Sequence, residues 1–387
     1  MGEYPHITFQ KKWALNDETI YRLGQSECII QSIASMPLMP ENRQRLLKVS
    51  LRKGARATTA IEGNTLSEED IEKMEAGEKL PPSKEYLQIE VQNIIDALNK
   101  IRDEVIEEEK SAILSPELIE NFNRLVGQNL GDYFQAVPGK LRISGQNVVV
   151  GQYRAPLGED VLSLVKQFCE WIRREFKYED GEQLFRDQIV QAIVVHIYLA
   201  MIHPFGDGNG RTARLVEFYL LLRVGLPDIA SHILSNHYNN TRNEYYRQLD
   251  ICVKSRDLTG FINYAILGFR DGLNEVLDVV QKNALTTSWQ NYIYDKLDSN
   301  VAKGKTRAVV KRRRTLALAF PVDRWISLDD LTNEKGSLAK MYSGRSNAMQ
   351  VRDVSELENL GLVIRQDKKF KGNIDIMKGL MPMRKGK

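Results

Sequence analysis

Apolar residues recur at helical spacing through most of the chain. Ile20, Leu23, Ile29, Ile30 and Ile33 predict a helix over 17–35; Leu46, Leu47, Val49 and Leu51 predict a second over 41–62. Gly63-Asn64 stops the second, because both residues tolerate left-handed backbone. Ser67-Glu68-Glu69-Asp70 has the form of a capped helix start, Gly77 closes that helix, and Leu80-Pro81-Pro82 makes a linker. Amphipathic helix follows over 83–107, Ser115-Pro116 starts another, and helices resume over 159–176 and 181–202. Residues 1–15 read as an extended arm. The period changes at 138–156, where Leu141-Arg142-Ile143 and Val148-Val149-Val150 flank Ser144-Gly145-Gln146-Asn147 and read as a β-hairpin. An apolar run from Leu215 to Val224 predicts a helix beginning near Gly210. A polar loop over 235–240 then leads into a helix starting at Asn243.

Around 299–305 the chain turns polar and Gly/Lys-rich, which marks a domain boundary. Beyond it the pattern predicts helices over 311–320, 327–331 and 345–360, the last stopped by Gly361. Leu362-Val363-Ile364 and Ile374-Asp375-Ile376 then flank a basic turn with Lys368, Lys369 and Lys371. Helices followed by a two-stranded wing resemble a winged helix-turn-helix domain. The fold class is therefore mainly α, with an N-terminal helical region over 1–110, a helical core with its hairpin over 111–298, and a small winged helix over 306–387.

Charge sharpens that division. Residues 301–387 carry 20 Lys and Arg against 9 Asp and Glu, a balance of +11 that leaves −8 on the rest of a chain of net charge +3. The basic piece permits phosphate contacts with DNA. The helix at the recognition position is mixed, however, with Asp353, Glu356 and Glu358 beside Arg345 and Arg352, so DNA is not favoured over a protein contact. No apolar run long enough to span a bilayer is free of charge, so no membrane span is expected. Met1-Gly2-Glu3-Tyr4-Pro5 lacks the features of a signal peptide. Cys28, Cys169 and Cys252 are far apart and odd in number, which suits a reducing cytoplasm. His196 falls in an apolar run and reads as a core histidine. A homodimer is left open.

The chemistry concentrates in His203-Pro204-Phe205-Gly206-Asp207-Gly208-Asn209-Gly210-Arg211-Thr212-Ala213-Arg214. Glycines at 206, 208 and 210 let backbone N–H groups approach an anion. The loop precedes a helix, whose N-terminus favours negative charge. Arg211 and Arg214 project from one side of the first turn, where each can clamp phosphate oxygens. Asp207 is a hard ligand suited to Mg2+, and His203 can take a proton near neutral pH. A Gly-rich helix–loop–helix connector competes with this reading. Gly208–Ala213 also fits a dinucleotide-binding turn, but that needs a preceding strand and an acidic residue about 20 positions on, where only Asp228 is available.

This stretch resembles the Fic family signature H-P-F-x-[DE]-G-N-G-R-x-x-R, matching it at every defined position. The resemblance implies transfer of AMP from ATP to a Ser, Thr or Tyr hydroxyl of a target protein, or of the chain itself. It implies His203 as general base, Asp207 as the Mg2+ ligand, Gly208, Asn209 and Gly210 as donors to phosphate oxygens, and Arg211 and Arg214 on the outer phosphates. The hairpin becomes the flap that registers a target segment, through Leu141, Arg142, Val148, Val149 and Val150. In such proteins this region borders the nucleotide pocket, which makes Asn243, Tyr245 and Tyr246 candidates for base or ribose contacts, though aromatic residues at that spacing are equally ordinary core. Thr58-Thr59-Ala60-Ile61-Glu62-Gly63 matches the Fic inhibitory pattern [ST]-x-x-x-E-[GN], and its position before the signature resembles the class inhibited by an N-terminal helix. Glu62 then pairs with Arg214, which cannot hold both Glu62 and a phosphate. Two alternatives remain: removal of AMP using Glu62, and a DNA-binding regulator whose core only senses nucleotide.

Overall fold

The computed structural model describes residues 4–109, 113–177, 184–230, 232–299, 306–342 and 347–378. The chain divides into two compact units, one of Met1–Met36 with Pro40–Asp278 and one of Pro37–Met39 with Val279–Lys387.

In the first unit, α1 (Asp17–Ser35) starts on Asn16, whose side chain accepts the Thr19 N–H. Helix α2 (Pro40–Ile61) ends at Gly63, whose φ of +102° suits only glycine. Helix α3 (Glu68–Glu75) carries the expected capping box of Ser67 and Asp70. Helix α4 (Glu85–Arg102) continues as a π-helical turn over Asp103–Glu107. Helix α5 (Pro116–Gly127) is capped by Ser115, which accepts from the Leu118 N–H. After the hairpin strands β1 (Val149–Val150) and β2 (Tyr153–Arg154) come α6 (Gly158–Glu175), α7 (Phe185–Ile202), α8 (Asn209–Arg223), α9 (Ile233–Asn240), α10 (Arg242–Ser255) and α11 (Thr259–Asp298), of which only the residues through Asp278 belong to this unit.

Helices α7 and α8 form the centre, with α2, α4 and α5 packed around α8. Almost every side chain of α7 from Ile189 onward is buried. By length and composition α7 could cross a membrane, with a mean hydropathy of 1.3. With 67 % of that stretch buried inside the unit, its apolar surface is already used as core.

Two local expectations are corrected. The hairpin is displaced toward the C-terminus: Val149 pairs with Arg154 and Val150 with Tyr153, so the turn lies at 151–152, where Gly151 has φ +59°. Leu141 instead forms an antiparallel bridge with Phe205 of the glycine-rich loop. The 235–240 segment is helical, because one helical stretch buries Ile233, Leu234 and Tyr238 together. The N-terminal arm props the hairpin. His6 Nε2 lies 2.8 Å from the Tyr153 hydroxyl, which in turn donates to the Met201 carbonyl at 2.5 Å.

In the second unit, α12 (Arg307–Ala319), α13 (Leu328–Glu334), α14 (Gly336–Tyr342) and α15 (Asn347–Asn359) precede β3 (Val363–Gln366), β4 (Lys369–Gly372) and the short α16 (Asp375–Lys378). The second strand is thus the basic stretch itself and not 374–376. Asp367, at φ +53°, permits a two-residue turn that pairs Gln366 with Lys369. Arg345 lies outside the described residues. Asp353, read above as one of the acidic residues mixed into the recognition-position helix, is 1 % exposed. It is bound by Arg312 at 2.6 and 3.1 Å, Arg313 at 3.0 Å and the Tyr342 hydroxyl at 3.0 Å. Burial raises its carboxyl, but these donors outweigh burial and hold it below the usual range.

Candidate active site

Helix α7 delivers His203 in a left-handed conformation, φ +50° and ψ 61°, with its N–H still bonded to the Leu199 carbonyl at 3.0 Å. That reversal throws the chain out of the helix and into the glycine-rich loop. It is pinned by Arg142, which is 1 % exposed. Its guanidinium donates to the carbonyls of His203 at 2.9 Å, Ile202 at 3.4 Å and Gln146 at 2.9 Å, and its own N–H donates to Pro204. A cation at the last carbonyls of α7 also suits the helix dipole. Arg142, expected to face a target, is instead a buried support where α7 enters the glycine-rich loop. Val149 and Val150 remain exposed, at 60 % and 44 %.

Burial pushes the His203 imidazole down to about 4, and Arg142 acts in the same direction, while a hydrogen bond to the Ala200 carbonyl, Glu62 and Asp207 act against it. The ring is neutral at pH 7, and with one nitrogen donating to Ala200 the other is left as a proton acceptor.

The loop holds its shape through its own side chains. Asn209 clips it shut, accepting the Phe205 N–H and donating to the Phe205 carbonyl, both at 2.8 Å. Its side chain is thereby turned toward the loop itself. Gly208, at φ +74°, caps α8, and its N–H is bonded at 2.5 Å to Asp207 Oδ1. Asp207 Oδ2 accepts the Gln135 N–H at 3.1 Å. Asn123, which sequence reasoning missed, donates to the Asp207 carbonyl at 3.0 Å and to Thr212 at 3.1 Å. A methyl group on Gly208 would sit 3.0 Å from Phe134 and 3.1 Å from Asn123, so the tight seat as well as the φ demands glycine.

Both arginines lie under the loop. Arg214 donates to Glu62 Oε1 at 2.6 Å, to the Thr58 hydroxyl at 2.5 Å and to the Thr58 carbonyl at 3.0 Å. The first threonine and the glutamate of the 58–63 pattern thus grip one guanidinium, whose side chain is 2 % exposed. Burial raises the Glu62 carboxyl, but Arg214, helped by Arg211 and His203, outweighs it and holds Glu62 below the usual range. Even so, 34 % of the Glu62 side chain stays exposed. Arg211 donates to Glu90 at 2.6 Å and to Asp207 Oδ1 at 3.0 Å. Glu90 carried no signal beyond its place on an amphipathic helix. Arg211 Nε and Arg214 Nη1 are buried with no partner among the described residues. Two unused cationic donors behind a glycine-rich helix N-terminus make an anion site.

Three expected nucleotide neighbours fare differently. Asn243 is exposed. Tyr245 is 3 % exposed, stacks on Tyr238 and bonds His196 Nε2 at 3.0 Å, so it is core. His196 is core too, lying 3.2 Å from Glu217. Tyr246 is 43 % exposed, and its hydroxyl donates at 3.2 Å to the Ile61 carbonyl at the end of α2. The dinucleotide-binding alternative fails on the preceding element, which is α7 and not a strand. Asp228 is committed to Arg43.

Residues 113–221 match the Fic/DOC family model. The protein adenylyltransferase fic-1 of Caenorhabditis elegans is 28 % identical over 268 residues, covering 63 % of this chain and 49 % of the relative. The protein adenylyltransferase Fic of Nematostella vectensis is 28 % identical over 239 residues, covering 61 % and 50 %. The chain thus spans about half the length of these curated relatives. Among solved structures, a Fic family protein from Desulfovibrio desulfuricans superimposes with a TM-score of 0.56 at 18 % identity, over 94 % of this chain and 98 % of that one. Residues 134–508 of Caenorhabditis elegans Fic-1 superimpose with a TM-score of 0.57 at 23 % identity, over 68 % and 73 %. Residues 113–221 of this chain thus match the Fic/DOC family model, and the chain is similar over part of its length to the Fic protein adenylyltransferases.

Proposed function

We propose that this protein transfers AMP from ATP to a Ser, Thr or Tyr hydroxyl of a target protein or of itself, and that Glu62 holds it inactive at rest. The observation that carries the reading is the grip of Glu62 and Thr58 on Arg214, next to buried donors that have no partner among the described residues. His203 accepts the proton of the attacking hydroxyl as its oxygen bonds to the α-phosphorus, the bond to the β-phosphate breaks, and pyrophosphate leaves. The free N–H groups of Asn209 and Gly210 and the guanidinium of Arg214 hold phosphate oxygens, so Arg214 must first leave Glu62.

Among the described residues no three His, Cys, Asp or Glu side chains converge as a metal cage. Asp207 alone suits Mg2+, which takes one or two carboxylates together with substrate phosphates and water. Bound there, Mg2+ would neutralise charge on the leaving pyrophosphate. The exposed edge of β1 and β2 is the surface on which a target segment would lie. The second unit is read as a winged helix that docks protein or DNA.

A second reading has one observation in its favour. Glu62 Oε1 engages Arg214, while Oε2 has no partner among the described residues and the side chain is partly exposed. That oxygen could orient a water for removal of AMP.

The test is incubation of wild type and Glu62→Gly with Mg2+ and ATP labelled at the α- or the γ-phosphate, followed by mass spectrometry of the chain. AMP gained from α-label by the variant, and abolished by adding His203→Ala, is expected. Label from the γ-position would make the protein a kinase and overturn the reading. Absence of label, with release of AMP from a modified target, would favour the second one.

A further inference from the structure

We infer that Glu90 is a positioning residue for the transfer reaction, holding Arg211 so that one edge of its guanidinium faces the phosphates. The inference rests on the reading above, in which Arg211 serves the nucleotide. Glu90 lies on α4, outside both sequence motifs, with 18 % of its side chain exposed; the Arg211 side chain is 6 % exposed.

The two carboxylate oxygens of Glu90 have separate tasks. Oε1 accepts from Arg211 Nη1 at 2.6 Å. Oε2 accepts from Asn64 Nδ2 at 2.9 Å. Asn64 is itself anchored, because Nδ2 also donates to the Leu87 carbonyl at 3.0 Å and Oδ1 accepts the Leu66 N–H at 3.0 Å. The Asn64 N–H closes the end of α2 on the Thr59 carbonyl at 3.1 Å. A carboxylate tied at one oxygen to so constrained a residue has little freedom at the other.

The guanidinium has three donor nitrogens. Glu90 takes Nη1, Asp207 takes Nη2 at 3.0 Å, and Nε is buried without a partner among the described residues. Nε and Nη2 share one edge, the pair of parallel donors that clamps a phosphate bidentately. If Asp207 turns to a cation, that edge is released as a whole. Glu90 on Nη1 keeps the group from following Asp207, and Phe134, its ring centre 5.9 Å from the guanidinium carbon, covers it. Glu90 does not reach the reacting atoms, and its effect passes through Arg211.

The experiment uses the full chain in a Glu62→Gly background, comparing Glu90→Gln, Arg211→Ala, both together, and Asn64→Ala. AMP transfer is followed against MgATP concentration, and binding of Mg2+ with a non-transferable α,β-methylene ATP analogue is measured separately. Glu90→Gln is expected to raise KM and the analogue Kd about tenfold while kcat stays within about twofold, as for lost uniform binding. The double variant should match Arg211→Ala alone, since a residue acting only through Arg211 has nothing further to lose. Asn64→Ala should shift the analogue Kd in the same direction by less, and reads the same chain of contacts if Glu90→Gln does not fold. An unchanged or tighter Kd in the Glu90 or the Asn64 variant, or losses that multiply in the double variant, would overturn the assignment. Failure of Glu62→Gly itself to take α-label would count against the transferase reading, while analogue binding still decides the part played by Glu90.

Discussion

Gly210 and Glu62 are in contact: a methyl group built on Gly210 would lie 2.2 Å from Glu62 Oε1 and 3.1 Å from Arg214 Nη1. The third glycine of the loop is the floor on which the glutamate rests, as well as a donor at the start of α8. Because the clashing atom is the Glu62 oxygen that Arg214 holds, Gly210→Ala should push it off that ion pair, with a loss of about 1–3 kcal/mol. The same methyl group would stand over Arg214, where phosphate must come. Gly210→Ala should therefore remain unlabelled by α-labelled ATP, and adding it to Glu62→Gly should silence that variant. Recovery of labelling in Gly210→Ala alone would mean that the loop does not seat the nucleotide there.

Thr58 contributes two of the three contacts on Arg214. Replacing its hydroxyl in Thr58→Val leaves Arg214 Nε buried without a partner, at a cost of about 1–3 kcal/mol by denaturant unfolding. The carbonyl and Glu62 still hold the guanidinium, so self-labelling should rise above wild type and stay well below Glu62→Gly. Labelling equal to Glu62→Gly would place the restraint in Thr58 and not in the glutamate.

The pH profile follows from opposed titrations. Glu62 is held below the usual carboxylate range, so its contact with Arg214 is complete at neutral pH and is lost only as pH falls through that lowered value. His203, at about 4, also takes its proton only in acid, where it ceases to be a base. Both protonations are confined to acid, so near neutral pH Glu62 stays on Arg214 and His203 stays a base. Wild type should show no acid activation, and the Glu62→Gly rate should be flat from about pH 6 to 8. A rise in wild-type labelling near pH 5 would contradict this.

Stability should fall in acid for a related reason. His203 and His232 are both pushed to about 4, chiefly by burial, from the ordinary 6.5. His232 Nδ1 lies 2.8 Å from the Ser50 hydroxyl of α2. A depressed value means that the unfolded chain binds more protons between 6.5 and 4. The contribution is thus fully present above about pH 6.5 and declines as pH drops through the window, by on the order of a few kcal/mol in all. Denaturant unfolding at pH 7 and pH 5 checks the sign, and His232→Asn should flatten the slope.

Arg142 tests how the loop is supported. Its three carbonyl contacts would be lost in Arg142→Met, which keeps much of the apolar stem. The expected loss is on the order of 3 kcal/mol, with transfer in the Glu62→Gly background falling through kcat as His203 loses its fixed position. Arg142→Lys should restore little, because an ammonium cannot span three separate carbonyls.

Much of this was legible from residue order alone. Helix positions, the stops at Gly63 and Gly77, the capping box of Ser67 with Asp70, and the cap at Ser115 depend on neighbours within a turn, and the residues that make them lie next to one another. The loop from His203 to Arg214 was legible for the same reason, since its chemistry and spacing are local. What failed was pairing at a distance. The 141–143 run had the composition of a hairpin strand, yet Leu141 bridges Phe205 and Arg142 turns inward to carbonyls some 60 positions on, whose need for a donor arises only when α7 ends there. The 235–240 stretch reads as polar in sequence, but Tyr238 is buried together with Ile233 and Leu234 just before it, on one continuous helix.

The sequence by itself determined that a base, a hard carboxylate, a glycine-rich helix start and two arginines stand together, and that a glutamate in another helix has the form of an inhibitor. Only the tertiary structure decided which groups are spoken for. Arg214 is held by Thr58 and Glu62, Arg211 by Glu90 and Asp207, and the Asn209 side chain by the loop itself. Donors and acceptors find partners by distance in space, and burial then forces every one of them to be used or reserved. Helix packing brings positions 62, 90 and 214 together, and neither motif nor period records that meeting.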